Sequence, residues 1–491
     1  MRCITVIKNS SIRGIKDECI ETLWKYSKGK VVIKVFNHWI HWKTVFQIVV
    51  DLLFPVVCVL MAVYWVGRAG LVDLQVVVTY AVIFALVMIV FNAWLGLYHR
   101  AHSRTAAQTR ARAVLSLYLS VPLAYAVFSL LSITDVNREL LLLSGLAALF
   151  GTLAHRVYTM HGRTGAMMMH RVLIFGAGPE AESVGKVLRR SDPDIEIVGF
   201  YPSATDGEIC IPGQLVLPRE QSLSDTAHTL KVDEIIIAVH ERRGGILPLR
   251  ELLDCKLSGV KVLGLASYFE QALGQIRLDS LRVGWLIFGE GFRQGWGRTL
   301  IKRVFDVVAA SMLILFSLPV MLVTGLLIYF EDGFPVFYRQ ERVGLNGRLF
   351  NVIKFRSMRM DAEGDGKPRW ATANDDRTTR VGRIIRKLRI DELPQLFSVL
   401  GGDMSLIGPR PERPYFVDQL TRDIPFYAVR HSVKPGVTGW AQVNYHYGAS
   451  VDDSIQKLQY DLYYVKNHAL FLDLVILFET VGVVLTGKGA Q

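Results

Sequence analysis

Cysteine is scarce. Five occur in 491 residues, Cys3, Cys19, Cys58, Cys210 and Cys255, and no CxxC pair is among them. That excludes a disulfide framework and a cysteine-ligated zinc site, and it fits reduced thiols in a cytoplasm-facing chain. Acid is in short supply too. Asp and Glu number 44 against 56 Lys and Arg, a net charge of +12. Such a surface suits anionic lipid or phosphorylated substrates. Nucleic acid is the competing partner, and no zinc-finger, RNP-type or basic-zipper pattern supports it. The first thirty residues contain no apolar h-region, so no signal peptide is expected.

Apolar residues are what the chain has in excess: 51% are hydrophobic and the mean hydropathy is +0.30, which points to membrane segments. Residues 1–44 are polar and basic and read as a cytoplasmic leader. His38 and His41, beside Trp39 and Trp42, look more like a membrane-interface patch than metal ligands. Four apolar stretches follow: Val45 to Val66, Leu74 to Tyr98, Ala113 to Ile133 and Leu140 to Tyr158. Each is near the ~20 residues that span a bilayer. Residues 45–160 therefore read as a four-helix transmembrane bundle. Arg100, Arg104, Arg110 and Arg112 follow the second stretch, and Arg156, Arg163 and Arg171 the fourth. The positive-inside rule puts both ends of the bundle in the cytoplasm. Asp51, inside the first stretch, is expected to pair or snorkel.

Residues 171–270 change character. Strands are expected at 171–175, 195–201, 232–239 and 260–265, alternating with helices, which indicates a parallel, doubly wound, Rossmann-like sheet. The turn Gly176-Ala-Gly178-Pro-Glu-Ala181 has the GxGxxA spacing that holds a dinucleotide phosphate. Tyr201-Pro202 stands where a ribose-binding acid is expected. No YxxxK pair follows residue 171, so short-chain dehydrogenase or epimerase chemistry lacks its catalytic residues. A degenerate, regulatory or structural domain is the better reading.

Residues 271–300 form a Gly- and Trp-containing connector, and 301–491 a final α+β domain. It opens with an apolar stretch, Val304 to Phe330, that has Pro319 in its middle and Ser317 two residues before. Proline removes a helix hydrogen bond, and serine can satisfy a freed backbone group. Lys302 and Arg303 precede the stretch; Arg339, Arg342 and Arg348 follow it. Basic residues on both sides indicate a helix broken at Pro319 that enters and leaves one leaflet. Two strands flank Gly344 to Gly347. Residues 361–377 are a polar loop, possible as a lid. Residues 378–389 are a basic helix. Trp440 and Tyr445 suit either stacking on a uracil or the bilayer interface. Ala469 to Leu485 suits an interfacial helix.

The chain is organised around RKLRIDELPQLFSVLGGDMSLIGPRPER, residues 386–413. Asp391 reads as a helix N-cap with Glu392 in the first turn and Gly401 as the stop. A carboxylate there is expected to stay ionised in the field of the helix. Neighbouring positions on a helix face different ways, so the two acids should do different jobs. The surrounding arginines suit phosphate oxygens. The plain alternative is a capped surface helix with ordinary basic neighbours.

That segment resembles the signature of the bacterial sugar transferases that act as polyprenyl-phosphate hexose-1-phosphate transferases. The likeness extends through KRVFDVVAASMLILFSLPVML (302–322), PVFYRQERVGLNGRLFNVIKFRSMRMDAE (335–363) and VKPGVTGWAQVNY (433–445). VDEIIIAVHERRGGILPLRELLDCKLSGVKV and LTGKGA are similar to the subgroup of exopolysaccharide systems that accompany PEP-CTERM sorting. The resemblance implies transfer of a hexose-1-phosphate, glucose on family frequency, from a UDP-sugar to undecaprenyl phosphate with release of UMP. It implies Asp391 as nucleophile, and Asp391 and Glu392 at a Mg²⁺ ion. Phosphate contacts are expected from Lys354, Arg356, Arg386, Arg410 and Arg413. A re-entrant helix breaks at Ser317–Pro319, and the catalytic domain faces the cytoplasm from the inner membrane. The competing readings are a membrane nucleotide-sugar dehydratase or epimerase and a non-catalytic, nucleotide-sensing scaffold. A homodimer and downstream glycosyltransferases are the plausible protein partners.

Overall fold

Three helices are long and apolar enough to cross a membrane among the described residues of the computed structural model. Those residues are 32–35, 38–65, 74–98, 106–130, 170–191, 195–203, 206, 209–239, 247–278, 281, 295–359, 377–445 and 450–486. The expected fourth span at 140–158 and the polar loop at 361–376 lie outside them. The chain divides into two units, the second including Gly274–Gln491.

The first unit contains two of those helices, α1 (Trp42–Trp65) and α2 (Leu74–Trp94), and a third apolar helix, α3 (Ala106–Leu130). Two short strands, β1 (Val32–Val35) and β2 (His38–His41), precede them, with Lys34–His38 belonging to the second unit. Val59, Tyr80, Phe84, Met88 and Ala124 interlock in one buried cluster. Asp51 is fully buried on α1 and accepts a hydrogen bond from the Tyr98 hydroxyl at 2.9 Å. It is paired, as a buried acid in an apolar helix must be.

The same unit holds a four-stranded sheet of β3 (His170–Phe175), β4 (Ile195–Tyr201), β5 (Glu234–Ile237) and β6 (Lys261–Gly264). Its order is β4-β3-β5-β6, all parallel. Helices α4 (Pro179–Ser191), α5 (Leu223–Thr229) and α6 (Leu249–Leu257) connect successive strands, and α7 (Leu265–Leu273) follows β6. Strand residues alternate between faces. Val172, Ile174 and Ile236 pack with Val184 and Leu188 of α4 and Phe269 of α7. Leu173, Phe175 and Ile235 pack with Leu223 of α5 and Cys255 of α6. Burial on both faces explains why these strands read as continuous apolar runs.

The second unit opens with α8 (Trp296–Asp332), a 37-residue helix. A straight helix of that length spans about 55 Å, well beyond the ~30 Å of a hydrocarbon core. The helix continues through Pro319, whereas the sequence indicates a break there. Ser317 Oγ reaches the Ile314 carbonyl and Met321 Sδ, not the Leu315 carbonyl that Pro319 leaves without a donor. Near its start, Arg303 donates to the carbonyls of Val399 and Leu400 at 2.6 and 2.7 Å, and Asp306 accepts from the Leu406 amide. Further along, Met321 and Ile328 are buried with Phe355 and Ile385. Its other face is apolar and exposed, including Leu315, Phe316, Leu322 and Phe330.

A hairpin follows, β7 (Phe337–Val343) and β8 (Leu349–Phe355), antiparallel. Then come α9 (Arg380–Lys387), a 3₁₀ turn at Ile390–Glu392, α10 (Gln395–Gly401), β9 (Ser405–Ile407) and α11 (Pro414–Asp423). Strand β10 (Gly436–Thr438) pairs parallel with β9. The unit closes with α12 (Trp440–Asn444), α13 (Val451–Asn467) and α14 (Leu470–Thr486). On α14, Leu470, Leu474, Phe478 and Val481 are exposed at helical spacing while Leu472 and Ile476 are buried.

Trp440 and His38, expected at exposed positions, are buried. Trp440 is buried, stacks on Tyr463 and donates its indole N–H to the Gly274 carbonyl at 2.9 Å. It belongs to the core, not to a uracil or a bilayer surface. Tyr445 donates its hydroxyl to Asp453 at 2.8 Å. His38 is buried too, with a ring nitrogen 2.9 Å from the Tyr463 hydroxyl, so it is not part of an interface patch.

Candidate active site

Asp391 is not an N-cap. Helix α10 begins at Gln395, with Pro394 as its cap residue. The two acids sit one step earlier, in the 3₁₀ turn. Arg389 precedes them in the left-handed region, with φ 57°. Helix α10 ends at Gly401, and the left-handed cap is Gly402. Ile390 and Leu393, which bracket the acids, pack against the cluster of Met321, Ile328, Phe355 and Ile385. Those two anchors fix the turn to the core and leave the acids to a separate, buried niche.

Glu392 is the gathered partner. Its Oε1 lies 2.8 Å from Arg410 NH2, 3.2 Å from Lys354 Nζ and 3.7 Å from Arg389 NH1. Burial alone pushes Glu392 up, but Arg410, Lys354 and Arg389 together hold it well below the usual carboxylate range. Lys354 is pulled down by burial and held up by Glu392. Asp391 behaves oppositely. Burial, then the Glu392 charge, push it up to about 6. Its Oδ1 is buried with no hydrogen-bond partner. The depressed acid expected at a helix start is a raised one instead, because burial and the Glu392 charge act on it.

Arg410 is delivered by the Gly408-Pro-Arg-Pro411 turn after β9. A β-carbon on Gly408 would collide with the Lys434 carbonyl, so the closely paired backbones require glycine there. Gly436 N donates to the Pro409 carbonyl at 3.0 Å, and Arg342 NH1 to the Pro411 carbonyl at 3.1 Å. Arg430 NH2 donates to the Arg410 carbonyl at 3.0 Å and is itself held by Asp461 at 2.7 Å and by Tyr427.

The structure thus brings together Asp391, Glu392, Lys354 and Arg410 of the residues expected from sequence. Arg386 donates to Thr378 Oγ1 at 3.3 Å, and Arg413 is the cap residue of α11. Arg356 is buried and donates to the carbonyls of Asp332 and Gly333. Sequence reasoning counts Arg389 only among the surrounding arginines and gives it no role of its own, although it stands three places before Glu392. It also misses Arg430 and Asp461; an acid in the otherwise aromatic run around Tyr463 is the one signal. Gln395 is missed as well, buried with an unpartnered Nε2.

The residues fit a hard divalent cation. Mg²⁺ takes oxygen ligands, commonly one or two carboxylates completed by phosphate and water. Asp391 Oδ1 is such an oxygen, without a partner. No group of three His, Cys, Asp or Glu that could form a closed metal site occurs among the described residues. Of the acid pair, Asp391 Oδ1 is the oxygen without a partner, while Glu392 Oε1 already faces three cations.

Gly176 and Gly178 lie outside this site, in the first unit. Gly176 has φ 123°, and a β-carbon there would stand 2.6 Å from the Ala238 carbonyl oxygen. One amide of the turn is taken by an internal carboxylate. Asp206 Oδ2 accepts from the Ala177 amide at 2.8 Å and the Ser203 amide at 2.7 Å.

The bacterial sugar transferase family model matches residues 297–487, which contain every group of the carboxylate site. A UDP-glucose:undecaprenyl-phosphate glucose-1-phosphate transferase of Xanthomonas campestris pv. campestris is 32% identical over 347 residues. That is 68% of this chain and 70% of that protein. The chain belongs to the bacterial sugar transferase family. A second relative of that family is 46% identical over 245 residues, the UDP-N-acetylgalactosamine-undecaprenyl-phosphate N-acetylgalactosaminephosphotransferase of Aeromonas hydrophila. The match covers 49% of this chain and 56% of that protein, little more than half its length. The undecaprenyl-phosphate galactose phosphotransferase of Salmonella typhimurium is 39% identical over 204 residues, 39% of this chain and 41% of its own length.

Proposed function

We propose that the chain is a phosphoglycosyltransferase that moves a hexose-1-phosphate from a UDP-hexose to undecaprenyl phosphate, releasing UMP and initiating an exopolysaccharide. The observation that carries this is the division of labour in the acid pair. Glu392 anchors three cations, and Asp391 keeps a buried oxygen with no bond to make.

The chemistry follows from that division. The Asp391 carboxylate attacks the phosphorus that bears the hexose. An Asp391–phosphate bond forms, the bond to the UMP oxygen breaks, and its electron pair leaves with UMP. An oxygen of undecaprenyl phosphate then attacks the same phosphorus and releases the Asp391 carboxylate. Arg410, Lys354 and Arg389 lie where they can spread the charge of the transferring phosphoryl group in a site shielded from water. Mg²⁺, when bound to Asp391 and Glu392, supplies further neutralisation of the phosphate oxygens. Arg430 and Asp461 hold the Arg410 backbone in place.

Attachment of α8 to one domain near both its ends, through Arg303 and Asp306 and through Met321 and Ile328, supports a helix that returns to the side it entered. That side is the cytoplasmic face of the inner membrane, where nucleotide sugars are. The polyprenyl tail stays in the leaflet, so the phosphoryl chemistry is brought to the bilayer surface. Glucose is our first donor. Relatives named for N-acetylgalactosamine and galactose make the hexose the variable to measure.

The test is UMP release by the full chain in nanodiscs with Mg²⁺, undecaprenyl phosphate and a panel of UDP-glucose, UDP-galactose and UDP-N-acetylgalactosamine. Release with one donor, lost on chelation and in Asp391→Asn, is the expected result. No UMP with any donor from folded protein overturns the proposal.

A further inference from the structure

The end of the apolar helix is fastened to both elements that deliver the reacting groups. The Glu331 carboxylate accepts the backbone N–H groups of Arg380 at 2.7 Å and Val381 at 2.9 Å. These are donors of the first turn of α9, which have no partner inside their own helix. Helix α9 then runs directly through Arg389 into Asp391. On the other side, Arg356 NH2 donates to the carbonyls of Asp332 at 2.7 Å and Gly333 at 2.8 Å, and lies 3.2 Å from the Asp332 carboxylate. These are the acceptors at the closing end of α8. Arg356 follows β8, the strand that carries Lys354. Between the two clasps, Met321 and Ile328 of α8 share a cluster with Ile385 of α9 and Phe355 of β8. Ile390 and Leu393, either side of the acids, pack on that cluster.

The Arg356 guanidinium is committed to this task at a cost. It is buried, and its Nε and NH1 find no partner. Of its three nitrogens, NH2 is the one engaged, and it engages the helix end.

We infer that Glu331 and Arg356 are positioning residues that clasp the end of the membrane helix to α9 and β8, so that the seating of α8 in the bilayer sets the placement of Asp391 and Lys354. A purely structural clasp would lower stability and leave turnover per folded molecule unchanged. A positioning clasp changes turnover. The inference rests on the phosphotransfer reading for its kinetic arm and on geometry alone for its exchange arm.

The experiment uses the full chain in nanodiscs, wild type beside Glu331→Ala and Glu331→Gln, well below all their melting temperatures. Glu331→Ala is expected to slow the single-turnover UMP burst at least tenfold while the donor KM moves less than twofold. Glu331→Gln, which keeps one acceptor oxygen, should recover a substantial part of the rate. Amide hydrogen exchange at residues 389–393 should accelerate in Glu331→Ala while residues 405–407 stay as in the wild type. A wild-type burst rate in Glu331→Ala overturns the inference. So does exchange at 389–393 that is unchanged, or that rises equally across the domain. Absence of UMP from the wild type itself would overturn the function, and the exchange comparison would still decide the clasp.

Discussion

Arg389 NH1 stands 3.7 Å from Glu392 Oε1 because the Arg389 backbone is turned into the left-handed region. A residue with a β-carbon is disfavoured there by roughly 1–2 kcal/mol. The turn ends α9 and swings the guanidinium back over the acid three places on. Arg389→Gly should therefore be more stable than Arg389→Ala by about 1 kcal/mol, and both should lose most activity. Denaturant melts with UMP assays check this. Equal stabilities would mean that the backbone strain is not as described.

Asp391 makes the protein less stable than it need be. Burial and the Glu392 charge push it up to about 6. An acid whose folded value exceeds its unfolded one, about 4, holds its proton more tightly in the fold. Its contribution favours folding as pH falls from about 6 to about 4 and opposes folding as pH rises through that window. Asp391→Asn should abolish UMP release and raise stability at pH 7.5 by on the order of 2 kcal/mol, with the gain shrinking towards pH 4. Melts at both pH values decide; a destabilised variant at pH 7.5 would contradict the unbonded carboxylate.

The same proton reports on metal. A cation taking Asp391 Oδ1 must displace it. Mg²⁺ binding at pH 6 should release roughly half a proton per ion, and at pH 8 almost none. Calorimetry in two buffers of different ionisation enthalpy measures this. Binding without proton release at pH 6 would place the ion elsewhere.

The Arg430–Asp461 pair, 2.7 Å apart and almost wholly buried, has a distinct signature. Asp461→Asn strands the guanidinium and should cost about 3–5 kcal/mol. Replacing both, Arg430→Met with Asp461→Leu, should restore much of that stability, since an apolar pair of similar volume needs no desolvation. Activity should not return with it, because the Arg410 carbonyl loses its donor. Denaturant melts and UMP release on the same samples separate the two effects.

Much of this was legible from sequence where burial imposes a pattern. The strand Ile195–Tyr201 and the parallel sheet around it follow from apolar runs between helices, as do the first two spans. The cation set around the acids was half legible. Lys354 and Arg410 are distant in sequence but lie in segments of recognisable composition. What escaped depends on single backbone events. The 3₁₀ turn at Ile390–Glu392 puts the helix start past Asp391, and burial beside Glu392 raises the acid instead of lowering it. The left-handed Arg389 brings in a third cation that spacing alone does not assign. Trp440 misled because an aromatic in a turn reads the same whether it faces solvent or core. Asp206 was invisible because its partner amide, Ala177, lies 29 positions away.

Asp206 has a consequence for the whole first unit. The glycine turn carries its own anion, covalently attached. A nucleotide arriving at those amides competes with a carboxylate that never diffuses away, so its effective concentration far exceeds that of a free ligand. The turn whose spacing suits a phosphate thus meets, at Ala177, a carboxylate of its own chain before any ligand arrives.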